Sequence, residues 1–136
     1  QFLQRAFLKK TVFKRYVALL DGVVHGDNGE INLPLLLDWE NRPNQKVCYK
    51  EGKKALTKWT LISKTKSTSR VYFYPITGRT HQLRVHAAHT LGLDTPILGD
   101  NLYGKGHQRL HLHADQITFT HPKTKERLTI QCDPDF

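Results

Sequence analysis

The sequence predicts an α+β fold, with a mostly antiparallel mixed sheet and few helices. Two observations carry that expectation. Several short segments alternate aromatic or β-branched residues with polar ones, which is the period of a half-buried strand. Between them lie Asp-Gly, Asn-Gly and Pro-containing turns, and only two places switch to a helical period.

The elements follow in order. Residues 1–11 read as a helix end, with Phe2, Leu3, Ala6 and Phe7 at helical spacing and Lys9 and Lys10 where cations suit the dipole. Residues 13–20 read as a strand, closed by the Asp21-Gly22 turn, and Asp27-Asn28-Gly29 is a second turn. Residues 31–37 are short and apolar, but Pro34 argues against a central strand. After the turn at residues 41–44, residues 47–49, 55–63 and 70–76 read as three strands, joined by loops rich in Lys, Gly, Ser and Thr. Then the period changes. Thr80 is the expected cap of a helix whose face is Leu83, Ala87 and Leu91, with Gly92 as its stop. Alternation returns over residues 110–119, and residues 127–131 give a last short strand after the turn at residues 121–124.

At 136 residues the chain has the size of one domain. Such a length buries roughly two thirds of the surface of the unfolded chain, so a core needs no staple. Cys48 and Cys132 stand far apart and read as small buried hydrophobes in a reducing compartment, hence a cytoplasmic expectation. No apolar run is long enough for a transmembrane helix, and a membrane partner is not expected. The chain opens on Gln1 and contains no Met, which reads as a piece of a longer protein.

Lys and Arg number 21 against 12 Asp and Glu, a formal net charge of +9. That excludes an acidic protein and makes a polyanion the first partner to consider. Residues 1–20 carry Arg5, Lys9, Lys10, Lys14 and Arg15 without an acid, and residues 42–70 carry nine bases against Glu51 alone. Two such tracts suit a phosphate backbone, with counterions released on binding.

The densest motif is ITGRTHQLRVH, residues 76–86, which crosses from a strand into a helix start. Helix N-termini welcome anions, and Arg79 and Arg84 add guanidinium forks that suit phosphate or carboxylate. Arg84 follows Leu83 of the apolar face, so it lies at the core edge and needs a partner. His81 and Gln82 stand in the same motif. Tyr16 sits between Lys14-Arg15 and Val17, and a ring among cations stacks on bases while the cations hold phosphates. The eight histidines include His86 and His89 at i, i+3 and the pair His111 and His113, spacings that could hold zinc. No Cys-x-x-Cys or HExxH accompanies them, so no metal is expected, and no GxSxG, P-loop or GxGxxG occurs.

In order and spacing, KRYVALLDG, LPLLLDWENRPNQKVCYKEGKKALTKW, ITGRTHQLRVH, PILGDNLYG, RLHLHA and FTHP resemble the RluA-type pseudouridine synthases along nearly all of the chain. The resemblance implies a partial pseudouridine synthase catalytic domain that isomerises uridine to pseudouridine in RNA, with no cofactor. Its expected partner is structured RNA, a ribosomal RNA or tRNA stem-loop. By motif position, Tyr16 is implied as the tyrosine that packs on the target base and assists proton removal, and Arg84 as the arginine that pairs with the catalytic Asp. Leu112, or its neighbour Leu110, is implied as the residue under the base. Lys14, Arg15, Arg79, His81 and Gln82 complete the expected RNA contacts.

The HRLD motif that carries the family's catalytic Asp does not occur in the sequence, and none of the 12 acidic residues lies in a matching context. The 136 residues are therefore expected to be the C-terminal portion of one catalytic domain, inactive alone, with apolar surface exposed where the rest would pack and self-association to cover it. Two rival readings remain at this stage: a non-catalytic RNA-binding module, and a zinc-dependent hydrolase built on the histidines.

Overall fold

The structure, a computed structural model, describes residues 12–106 and 109–136. The helix expected over residues 1–11 lies outside them. Among the described residues a six-stranded sheet runs in the order β2 (Asn28–Asn32), β5 (Leu56–Lys64), β6 (Ser69–Pro75), β1 (Phe13–Leu20), β7 (Leu112–Thr120), β8 (Arg127–Gln131). Every neighbouring pair in it is antiparallel. A two-stranded antiparallel ribbon, β3 (Leu35–Leu37) and β4 (Gln45–Val47), forms a separate sheet, and the one α-helix among the described residues, α1 (Gln82–Ala88), covers part of one face.

Alternation decides what each strand buries. On the helix side Tyr16 pairs with Phe73, Phe73 with Trp59, and Trp59 with Gly29. A Cβ at residue 29 would lie 3.0 Å from the Trp59 indole nitrogen, so glycine is what lets that ring lie flat on β2. Ala18, Leu20, Val71 and Phe73 meet Leu83 and Ala87 of α1 and Ile97 from the following loop in one core cluster. Tyr16 and Leu112 pack at its margin.

A buried polar chain ties α1 to the sheet. The Thr57 hydroxyl lies 2.8 Å from His86 Nδ1, and His86 Nε2 lies 3.0 Å from the Leu33 carbonyl oxygen. A carbonyl only accepts, so Nε2 carries the proton and Nδ1 accepts from Thr57. His86 is therefore a neutral core histidine, and His86 with His89 is no zinc pair. Among the described residues no three His, Cys, Asp or Glu side chains gather in a metal-holding group.

Several sequence expectations need correction. Residues 31–37 are not one segment: Ile31 and Asn32 end β2, an edge strand, Leu35–Leu37 are the whole of β3 in the other sheet, and Pro34 lies between them in neither strand, as expected. The strand expected at residues 47–49 runs instead from Gln45 to Val47. Thr80 does not cap α1. The cap position is His81, in the left-handed region at φ 55°, with no side-chain cap bond. The helix ends at Ala88, so Leu91 falls beyond it and is exposed. Cys132 is exposed rather than buried, and Cys48 is half-buried. Among the described residues no helix is long and apolar enough to cross a membrane.

Phe73 has no exposed surface, whereas Leu91 is 65% exposed. Phe73→Ala should destabilise the chain by about 3–5 kcal/mol in urea unfolding. Leu91→Ala should stay within about 0.5 kcal/mol. Burial lowers the His86 pKa from its ordinary 6.5, although the Leu33 carbonyl pulls the other way. The unfolded chain therefore binds the extra proton first. Stability should be level above that value and fall as pH drops below it. Urea midpoints measured between pH 8 and pH 5 check the sign.

Candidate active site

A cleft of about 300 Å³ opens where the C-terminal end of β6, the start of α1, the first half of β1 and the start of β7 meet. Lys14, Tyr16, Arg79, His81, Gln82, Arg84 and Leu112 all line it, together with Pro75, Thr77, Gly78 and Leu83. Seven of the eight residues expected from the sequence thus come together. Arg15 does not line it. Alternation along β1 sends its side chain the other way, where it grips Asp115 through two bonds of 3.1 and 2.9 Å and lies 4.1 Å over the Tyr72 ring. Arg15 is spent on that partly buried pair. The β-bulge between Arg15 and Tyr16 breaks the pairing with β7 beside the cleft.

Tyr16 is partly buried against the core, and burial pushes its phenol above the ordinary pKa of 10.0. The ring therefore presents a neutral O–H at physiological pH. Leu112, paired with Ala18 across the strands, adds an apolar wall.

Arg84 provides the fixed charge. Its Nε donates to Asp100 Oδ2 at 3.2 Å and a terminal nitrogen donates to Oδ1 at 2.7 Å. Arg84 is 16% exposed and the Asp100 side chain not at all. Asp100 Oδ1 also accepts the backbone N–H groups of Leu102 and Tyr103 at 3.0 and 3.1 Å. Burial alone would raise this carboxyl. The Arg84 bonds, the two backbone N–H groups and the guanidinium charge outweigh it and hold the pKa below the usual carboxylate value. The partner that Arg84 needs at the core edge is thus Asp100, which sequence reasoning passed over. Its signal was present: PILGD places one carboxylate in an otherwise apolar run, and such a charge is buried only when paired.

The other motif residues divide by whether their polar atoms are spoken for. Gln82 is buried, and its amide is saturated internally. Its oxygen accepts from the Thr77 hydroxyl and the Arg79 N–H, and its nitrogen donates to the Leu56 carbonyl and the Thr57 hydroxyl. It shapes the cleft wall rather than offering a bond to a ligand. The Gln82 backbone N–H goes to the Arg79 carbonyl, so the expected open helix N-terminus is partly filled by the protein itself. Arg79, which lines the cleft, is steadied through its Nε by the Lys54 carbonyl at 2.8 Å. His81 Nδ1 lies 2.8 Å from the Tyr103 hydroxyl.

The sequence profile of the RNA pseudouridylate synthases matches residues 1–89. The chain is 46% identical over 140 residues to the dual-specificity RNA pseudouridine synthase RluA of Pasteurella multocida, covering 98% of this chain and 63% of that protein. It is 43% identical to the Escherichia coli protein of the same name, with the same coverage. Human RNA pseudouridylate synthase domain containing 1 superposes with a TM-score of 0.78 at 31% identity, over 96% of this chain and 58% of that one. Human RNA pseudouridylate synthase domain containing 4 gives 0.76 at 26%, over 96% and 61%. The chain therefore spans somewhat under two thirds of the proteins it matches.

Asp100→Asn would leave the Arg84 guanidinium buried without its counter-charge. It should cost about 3–5 kcal/mol in urea unfolding at neutral pH. The penalty should shrink in acid. A lowered carboxyl gives its full contribution above the unfolded value of 3.8 and loses it as pH falls through the folded one.

Proposed function

This chain belongs to the RNA pseudouridylate synthase family, and on that premise we propose that its parent protein isomerises uridine to pseudouridine within structured RNA, a ribosomal RNA or tRNA stem-loop, at the cleft of Tyr16 and Arg84. The observation that carries the reading is the meeting of those two side chains, 68 positions apart in sequence, in one cleft of about 300 Å³. That space accepts a single extruded base.

The reaction balances without a co-reactant. The N1–C1′ bond breaks, the base turns, the C5–C1′ bond forms, the C5 proton leaves, and N1 takes up a proton. Each residue's part follows from its surroundings. Extruding a uridine costs a few kcal/mol, and stacking on an aromatic face returns ~1–3 kcal/mol. Tyr16 and Leu112 supply the apolar faces for the base. Lys14 and Arg79 at the cleft supply charge for the flanking phosphates. Arg84 holds positive charge where a catalytic carboxylate must stay ionised, an effect of ~1–3 pKa units.

Asp100 is a poor nucleophile. Its carboxylate is wholly buried and accepts four hydrogen bonds from Arg84, Leu102 and Tyr103. It does not line the cleft. The nucleophile is instead the Asp of the family's HRLD motif, which these 136 residues do not contain, so they are inactive alone. Support for a missing partner surface comes from the sheet itself. Lys14, Ile117 and Ile130 are cross-strand neighbours, Ile130 is 56% exposed, and a second hollow of about 230 Å³ lies between them and Tyr16. Self-association of the isolated chain would cover the same face.

Tritium release from RNA labelled at uridine C5 tests the reading. The parent protein should release it, and this chain alone should not. In the parent, Tyr16→Leu and Arg84→Ala should each lower turnover by at least about a hundredfold. Near-normal turnover in both would refute the site. The isolated chain should still bind a uridine-bearing hairpin, with an affinity that falls steeply as salt rises.

A further inference from the structure

The Tyr103 hydroxyl sits between two partners. The Gln45 backbone N–H donates to it at 2.8 Å, and His81 Nδ1 lies 2.8 Å away. The amide can only donate, so it occupies a lone pair of the phenol oxygen. With that lone pair taken, the arrangement in which the phenol proton goes to His81 Nδ1 leaves that nitrogen bare and puts the imidazole proton on Nε2. We infer that Tyr103 is a positioning residue that locks His81 in the Nε2–H tautomer, so that His81 presents one directed donor to an acceptor oxygen of the uridine nucleotide in the cleft.

Further observations converge on this. His81 lines the cleft, and its backbone holds the left-handed conformation at φ 55°. That conformation is rare for a residue with a side chain and costs of order 1 kcal/mol. It is kept by the Val85 N–H on the His81 carbonyl at 3.0 Å and by the Tyr103 bond. The two rings meet edge to face, with centroids 5.7 Å apart and planes at 77°. Tyr103 is itself held by Asp100, which takes its backbone N–H, so the donor is built on the buried Arg84 pair. Burial lowers the His81 pKa, and the Arg84 charge lowers it further against the pull of Asp100. The ring is therefore neutral at physiological pH and offers a hydrogen bond rather than a charge.

The donor's use by a nucleotide rests on the function proposed above, while the tautomer does not, and the two are tested apart. Long-range 1H–15N correlation spectra of the labelled chain at neutral pH, with His81 assigned by its loss in His81→Gln, should show the proton on Nε2 and a bare Nδ1. In Tyr103→Phe the two tautomers should mix. A proton on Nδ1 in the unsubstituted chain overturns the inference, even if Tyr103→Phe fails to fold. Fluorescence anisotropy with an RNA hairpin carrying an unpaired loop uridine tests the donor. His81→Leu should weaken binding about three- to tenfold, the worth of one hydrogen bond, and His81→Gln, whose amide N–H lies near the place of Nε2–H, should recover most of it. Unchanged affinity in His81→Leu, or equal losses in both variants, overturns the donor role. Absence of any binding by the unsubstituted chain overturns the nucleotide reading of the cleft and leaves the spectrum to decide the tautomer.

Discussion

The largely buried ion pair of Arg84 and Asp100 joins the one described α-helix to the loop that follows it, and the geometry of the cleft depends on that joint. Arg84 belongs to α1, whose Leu83 and Ala87 are committed to the sheet. Asp100 belongs to the turn that carries Leu102 and Tyr103, and it accepts both of their N–H groups. A single carboxylate thereby fixes the direction of a guanidinium that lines the cleft and the position of the Tyr103 phenol, which bonds the cleft residue His81. Burying the two charges is costly in itself, and the four hydrogen bonds on Asp100 are what offset that cost.

Around this joint the cleft has a simple composition. Its walls are apolar where a base would lie, with Tyr16, Leu83 and Leu112, and cationic where a backbone would run, with Lys14 and Arg79. Polar side chains that look available in the sequence are often not. Gln82 gives its whole amide to Thr77, Arg79, Leu56 and Thr57, and His86 gives both nitrogens to Thr57 and Leu33. The rest of the cleft's polar lining is a short set: a stacking phenol, two guanidinium groups, a lysine and one imidazole.

Much of this was legible in the sequence because period and turn chemistry act locally. The strand over residues 13–20 was placed to the residue, and those over residues 55–63 and 70–76 to within one, since alternation and flanking turns bound them on both sides. The helix start was misplaced by its cap. Thr80 is the better capping residue, but the chain turns through a left-handed His81 whose partner, Tyr103, lies 22 positions away. Leu91 has helical spacing, yet the helix ends at Ala88 and leaves it in solvent, which spacing alone cannot foresee. Long-range pairings were the least legible. Arg15 and Lys14 are neighbours of like charge, and only the strand's two faces and the presence of Asp115, 100 positions on, separate a structural cation from one at the cleft.

The central claim is that a phenol on β1 and a guanidinium on α1 form one nucleotide site. Its most direct measurement is an NMR titration of the labelled chain with a uridine hairpin, following the Tyr16 ring protons and the Arg84 Nε–H together. One shared site predicts that both signals shift along the same curve with the same midpoint. Shifts confined to lysines of residues 42–70, with the Tyr16 and Arg84 signals unmoved or moving at different midpoints, would contradict it.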